Sequence, residues 1–213
     1  MGLKKTPEYV REIRDELRSE PVSILSDKKI QAAVEKILSE NKITCPPVNV
    51  FKLAKELEFD VFSFPFDPKE GVIGFMGDGP TDHPSLKSKR FIGVQESGDD
   101  IRVISTMGHE FGHFFIDCNS SDQKNYMSFR YIGRSDAVNP VLEINADAFK
   151  NELLMPYKLL GDFLKDKKGT RWDALLEEIK KTFLVSRHVA REHLENILKK
   201  PIVNEAVYEG DFL

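Results

Sequence analysis

Cysteine is nearly absent from this chain: 213 residues hold two, Cys45 and Cys118, far apart in sequence. That excludes a scaffold built on disulfides and points to reduced thiols in a cytosolic protein. Long apolar runs are missing as well. None approaches the roughly 20 residues needed to cross a bilayer, and the first residues lack an apolar signal core. The expectation is a cytoplasmic protein with no membrane partner. Nor is either sign of charge in large excess, with 31 Lys and Arg against 35 Asp and Glu for a net charge of −4. A strong overall pull toward nucleic acid or anionic lipid is therefore excluded. What the chain does have is apolar bulk. Forty per cent of it is hydrophobic and fifteen residues are phenylalanine, enough for one sizeable core with small additions.

The most informative string is His109-Glu110-Phe111-Gly112-His113. On a helix, side chains four apart project from one face, so His109 and His113 can grip one zinc ion. Glu110 then stands beside the water that such an ion activates. Around the motif, Ile104, Met107, Phe111, Phe114 and Phe115 recur at helical spacing, which describes a helix buried on most sides. Gly112 costs such a helix about 1 kcal/mol relative to alanine, so a close approach by another backbone is expected there.

A catalytic zinc takes three protein ligands and keeps one position open. A third ligand six residues after His113 would have to be Asn119, and Ile116 stands where that arrangement needs glycine. The alternative is a carboxylate from a later helix. Residues 141–156 supply Glu143, on a helix that stops at Met155-Pro156. Asp147, one turn on, is placed to accept the free ring N–H of a metal-binding histidine.

Taken together, His109-Glu110-Phe111-Gly112-His113, Glu143-Ile144-Asn145-Ala146-Asp147-Ala148-Phe149 and Leu153-Leu154-Met155-Pro156 resemble the signature of the ImmA/IrrE family of metallo-endopeptidases. Similarity extends to Cys45-Pro46-Pro47-Val48-Asn49-Val50 upstream and to Phe183-Leu184-Val185-Ser186 downstream. The resemblance implies a bacterial or phage-borne zinc protease that cuts a regulatory protein, typically a helix-turn-helix repressor encoded nearby. It makes His109, His113 and Glu143 the Zn²⁺ ligands and Glu110 the catalytic base. Two departures stand out: Val103-Ile104-Ser105-Thr106-Met107 replaces the usual R-F-T-x-A, and Ile116-Asp117 replaces Leu-His. Tyr126 and Tyr131, between the two motif segments, are candidate oxyanion donors alongside Arg130, Arg134 and His83. A second function class is a regulatory or toxin–antitoxin component that acts by binding a partner protein or DNA, with weak or conditional proteolysis.

The fold expected is α+β: a zincin-like domain with a small antiparallel sheet and active-site helices, N-terminal helices before it and a helix-turn-helix-like hairpin after it. The division read from sequence is 1–44, an N-terminal helical segment; 45–160, the metallopeptidase domain; and 161–213, a C-terminal helical segment. Three short strands are read at 59–62, 71–76 and 90–94, between glycine, proline and aspartate turns. The stretch 114–142 reads as the rim of a cleft. In the last segment Ser186 can cap a helix starting at Arg187, the outline of a helix-turn-helix. Residues 165–200 carry a local net charge of +4, yet Leu184 sits where the turn usually has glycine, and Glu192 and Glu195 lie on the would-be recognition helix. DNA contact is thus the weaker reading, and a hairpin packed on the protease domain the stronger. The sequence leaves the oligomeric state open.

Overall fold

The computed structural model describes residues 6–18, 22–65, 72–78, 90–96, 98–117, 139–203, 205–210 and 212, together with the backbone of 126–131. Three helices come first, α1 (Glu8–Leu17), α2 (Asp27–Glu40) and α3 (Val50–Glu56). Strands β1 (Phe59–Phe64), β2 (Val72–Asp78) and β3 (Arg90–Gln95) lead into helix α4 (Asp100–Ile116). Then follow β4 (Tyr126–Tyr131), α5 (Pro140–Leu154), α6 (Tyr157–Leu164), α7 (Trp172–Phe183) and α8 (Arg187–Leu198). The α+β expectation holds, and the motif lies on helix α4 as its apolar spacing requires. Helix ends follow the local chemistry. Asp99 accepts the backbone N–H groups of Ile101 and Arg102, Asn139 accepts that of Val141 ahead of Pro140, and Ser186 accepts that of Val189.

The sheet departs from expectation in two ways. It has four strands in the order β1-β3-β2-β4, and β1 runs parallel to β3 while the other two pairs are antiparallel. The short apolar runs gave the strands but not their directions, since period-2 patterning is the same in either orientation. Strand β4 comes from the 114–142 stretch read as a plain rim. It pairs with β2 from Val72↔Tyr131 to Asp78↔Tyr126, with a register shift between Val72 and Gly74.

Alternation then separates the two faces of the sheet. Phe59, Met76 and Ile92 face the helices; Phe59 meets Phe111 and Phe114 of α4 edge-on at 5.6 and 4.9 Å. On the opposite face Phe62, Phe64, Phe75 and Phe91 form their own cluster, with ring centroids 4.8–6.2 Å apart. Gly93 and Gly77 leave the room those rings occupy, because a Cβ on either would fall 2.2 Å from the ring of Phe75 or Phe91.

On the helical side one apolar core runs from Val10 in α1 to Phe212. Arg14 of α1 is buried in it, a charged side chain on the face that Val10, Ile13 and Leu17 define. Its Nε donates to the carbonyl of Phe114 (3.0 Å), its guanidinium lies 3.8 Å above the Phe114 ring, and Nη2 meets Asp78 at 3.2 Å. The Phe114 carbonyl belongs to the last turn of α4, where helix carbonyls lack partners along the chain. Helix α1 thus closes the end of the motif helix. Asn145, also buried, ties the segment before α2 to α5 by accepting from the Leu25 backbone (2.9 Å) and donating to the Ser23 carbonyl (3.0 Å).

Helices α4 and α5 share the most extensive packing among the described elements, and Gly112 permits it. A Cβ there would lie 2.7 Å from both Cα and the carbonyl oxygen of Ala146. The backbone approach expected from the sequence is therefore real, and its partner is the motif segment carrying Glu143. Replacing Gly112 by alanine adds about 1 kcal/mol of helix propensity but forces the two helices apart, at a cost of about 1–3 kcal/mol. Gly112→Ala is therefore expected to cost a net of about 0–2 kcal/mol and to weaken metal binding; unchanged metal affinity would refute the close-packing account.

Candidate metal centre

The crossing at Gly112 aims three donor atoms at one point. His109 Nε2 and His113 Nε2 lie 2.9 Å apart, as i and i+4 on one face of α4. From α5, Glu143 brings Oε2 to 3.2 Å from His109 Nε2 and Oε1 to 3.2 Å from His113 Nε2. Tetrahedral zinc with bonds of 2.0–2.1 Å sets its ligand atoms about 3.3 Å apart. These are the residues that sequence reasoning nominated, and among the described residues they form the one group of histidine, cysteine and acidic side chains close enough to hold a metal ion. The donor set, two imidazoles and a carboxylate, fits zinc chemistry.

The outward-facing ring nitrogens are engaged too. His109 Nδ1 lies 2.9 Å from Asp147 Oδ1, in the pairing expected from the one-turn spacing of Glu143 and Asp147. Lys150 donates to the same Asp147 oxygen at 2.7 Å. His113 Nδ1 is hydrogen-bonded to Asp117 Oδ2, one turn further along α4. Asp117 and Lys150 were missed from sequence. The i+4 spacing from His113 and the i+3 spacing from Asp147 were the available signals.

Glu110 is fully buried beside the histidines. Strand β2 passes directly over it at Gly74, where a Cβ would sit 2.3 Å from Thr106 Cγ2 and 3.2 Å from Glu110 Oε1. Gly74 is a further residue the sequence did not single out. It lies at the register shift with β4, in keeping with the tendency of bulges to occur next to active sites. Tyr126 and Tyr131 are the terminal residues of β4 by backbone position, with Arg130 beside Tyr131; their side chains, and His83, Arg134 and Cys118, lie outside the described residues.

Both arginines of α8 are engaged by neighbouring groups. Arg187 donates to the Asp173 carbonyl and to Glu177, both at 3.0 Å, and Arg191 to Glu195 at 3.1 Å and to the Ile202 carbonyl. Trp172, Leu175, Leu176, Ile179 and Phe183 of α7, with Ala190 and Leu194 of α8, belong to the main core. The turn between the helices places Leu184 in the left-handed region at φ 55°, the conformation for which glycine is usual. His193 of α8 is hydrogen-bonded to the Met155 carbonyl at 3.1 Å, docking the hairpin behind α5.

With this geometry in hand, comparison with known proteins is decisive. The Peptidase M78 family model, described as the IrrE N-terminal-like domain, matches residues 54–195, well over half of the chain. The chain belongs to the Peptidase M78 family. The family is by its name one of peptidases, and its model spans both motif helices of the site. Among solved structures, a Mycobacterium tuberculosis transcriptional regulator superposes with a TM-score of 0.51 at 13% sequence identity, over 94% of this chain and 55% of that one. At that identity the likeness speaks for the fold, and this chain spans little more than half the length of the regulator. No curated protein matches the chain. No helix among the described residues is long and apolar enough to cross a membrane.

Charge within the M78 site is strongly coupled. Burial works against a charged His113, but hydrogen bonds to Asp117 and Glu143 and the charges of Asp117 and Glu110 outweigh it, raising its pKa to about 10 in the metal-free protein. For Glu143, burial favours the neutral acid, yet the two histidines prevail and hold it down at about 2. Asp147 is shifted well below the carboxylate range against its burial, by His109 and Lys150. The signs set a pH window. A raised histidine stabilises the fold fully below its ordinary value of 6.5, and that contribution fades as pH rises through about 10. A depressed glutamate stabilises above 4.5, and its contribution is lost as pH falls toward 2. The metal-free chain is expected to melt highest between roughly pH 4.5 and 6.5. His113→Ala should flatten the alkaline limb; an unchanged limb in thermal melts with chelator would contradict the coupling.

Proposed function

We propose that this chain is a zinc-dependent endopeptidase, with His109, His113 and Glu143 as the metal ligands and Glu110 as the catalytic base. The observation that carries this reading is the meeting of two Nε2 atoms and one carboxylate beside a fully buried Glu110, two turns of one helix against the first turns of another. Asp147 acts as the acceptor that orients His109. The substrate is a regulatory protein, a helix-turn-helix repressor or similar regulator encoded nearby, cut in the cytoplasm. Support for that finer choice comes from the family resemblance of the paired motifs.

Zinc held by these ligands supplies Lewis acidity, which polarises a peptide carbonyl and brings the ionisation of water into the neutral range. The residues do the rest. Nδ1–H bonds to Asp147 and Asp117 fix both imidazoles with Nε2 lone pairs pointing at the centre. Glu110, in a buried position under the bare backbone of Gly74, takes a proton from the attacking water. Oxygen bonds to the carbonyl carbon, and the carbon–nitrogen bond breaks. Glu110 hands the same proton to the departing amine, leaving a carboxylic acid and an amine, and the remaining water proton passes between them to give carboxylate and ammonium. Tyr126 or Tyr131, on the strand next to β2, serves as donor to the developing oxyanion.

Incubation of the purified chain with a neighbouring repressor tests this reading. Glu110→Gln is expected to reduce cleavage by about 10²–10⁴-fold while metal content stays at the wild-type level. Cleavage at the wild-type rate in that variant would overturn the assignment of the base. His113→Ala should instead lose metal and cleavage together.

A further inference from the structure

The two histidines of the centre are supported unequally. His109 leans on Asp147, whose side chain is 47% exposed and whose Oδ1 is also the acceptor for Lys150. His113 leans on Asp117, whose side chain is 4% exposed. Asp117 sits at the C-cap of α4, and its own backbone N–H donates to the His113 carbonyl at 2.9 Å. Main chain and side chain of this one residue therefore both engage His113. The motif helix brings its own orienting group, independent of α5.

We propose that Asp117 is the dominant positioning residue of the metal centre. By accepting the Nδ1–H of His113 it fixes the ring tautomer that leaves Nε2 free for the metal, and it sets metal affinity more strongly than Asp147 does. The inference rests on the metal-centre reading of the preceding subsection. Its physical basis is local. A carboxylate shielded from water interacts more strongly with the ring it faces than one half in solvent. Loss of such an orienting partner typically weakens metal binding 10–100-fold. The departure in sequence at Asp117 thereby acquires a role in this chain.

Zinc affinity of the full chain, measured by competition with a chromophoric chelator, tests the proposal alongside the visible spectrum of the cobalt-substituted protein. Asp117→Asn is expected to weaken zinc about 10–100-fold and to shift the cobalt bands, with a smaller loss for Asp147→Asn. Asp117→Ser, which keeps a small polar cap on the helix, should behave like Asp117→Asn and covers the case of a misfolded amide variant. Thermal melts of the metal-free proteins separate a mere capping role, which would lower the melting temperature but leave affinity and cobalt spectrum unmoved. Affinity within twofold of wild type in the Asp117 variants, or a larger loss in Asp147→Asn, overturns the proposal. A wild-type chain that binds zinc yet cuts no protein sinks the endopeptidase reading and leaves this one standing. A wild-type chain that binds no zinc sinks both.

Discussion

The contact between Gly112 and Ala146 governs the whole site. A side chain as small as a methyl group at position 112 would collide with the backbone of the facing helix. Because that space is empty, α4 and α5 close to a distance at which a glutamate from one reaches two histidines on the other. Everything chemical follows from that proximity. The histidine pair alone, at i and i+4, offers only two donors; the helix crossing provides the third.

Around that crossing the protein lays charge where an apolar core would be more stable. Glu110, His109 and His113 are buried, and each ring is backed by an aspartate. Removing charged groups from water costs several kcal/mol per ion unless close partners compensate. The arrangement is therefore held by its surroundings: the apolar faces of α4, the Phe59 ring against Phe111 and Phe114, and the Arg14 guanidinium over Phe114. The apolar packing that holds the charges in place is concentrated beside the site.

Much of this was legible in the residues. Two motifs and their separation named His109, Glu110, His113, Glu143 and Asp147, since ligand chemistry restricts residue type and helix geometry restricts spacing. The glycine inside an otherwise apolar helix announced a backbone neighbour without saying which. Other features were hidden for identifiable reasons. The parallel pairing of β1 with β3 was invisible because alternation marks a strand's faces but carries no direction. Strand β4 was obscured by the polar residues around it. Arg14 shares the helix face of Val10, Ile13 and Leu17, but its charge masked the burial against Phe114 that this spacing implied. Asp117 stands where the family pattern has a different residue, so only its i+4 relation to His113 could have marked it.

The buried arginine also bears on how the molecule assembles. Its partner carbonyl lies 100 residues away, Asn145 reaches 120 residues back to Leu25, and Lys199 pairs with Asp27 across 172. Such long sequence separations place the fold toward high contact order, for which loop-closure entropy slows the search for the native state. Until residues 78 and 114 are made, the Arg14 guanidinium of α1 waits without the partners it has in the fold. Segments left waiting in this way are natural clients for chaperones.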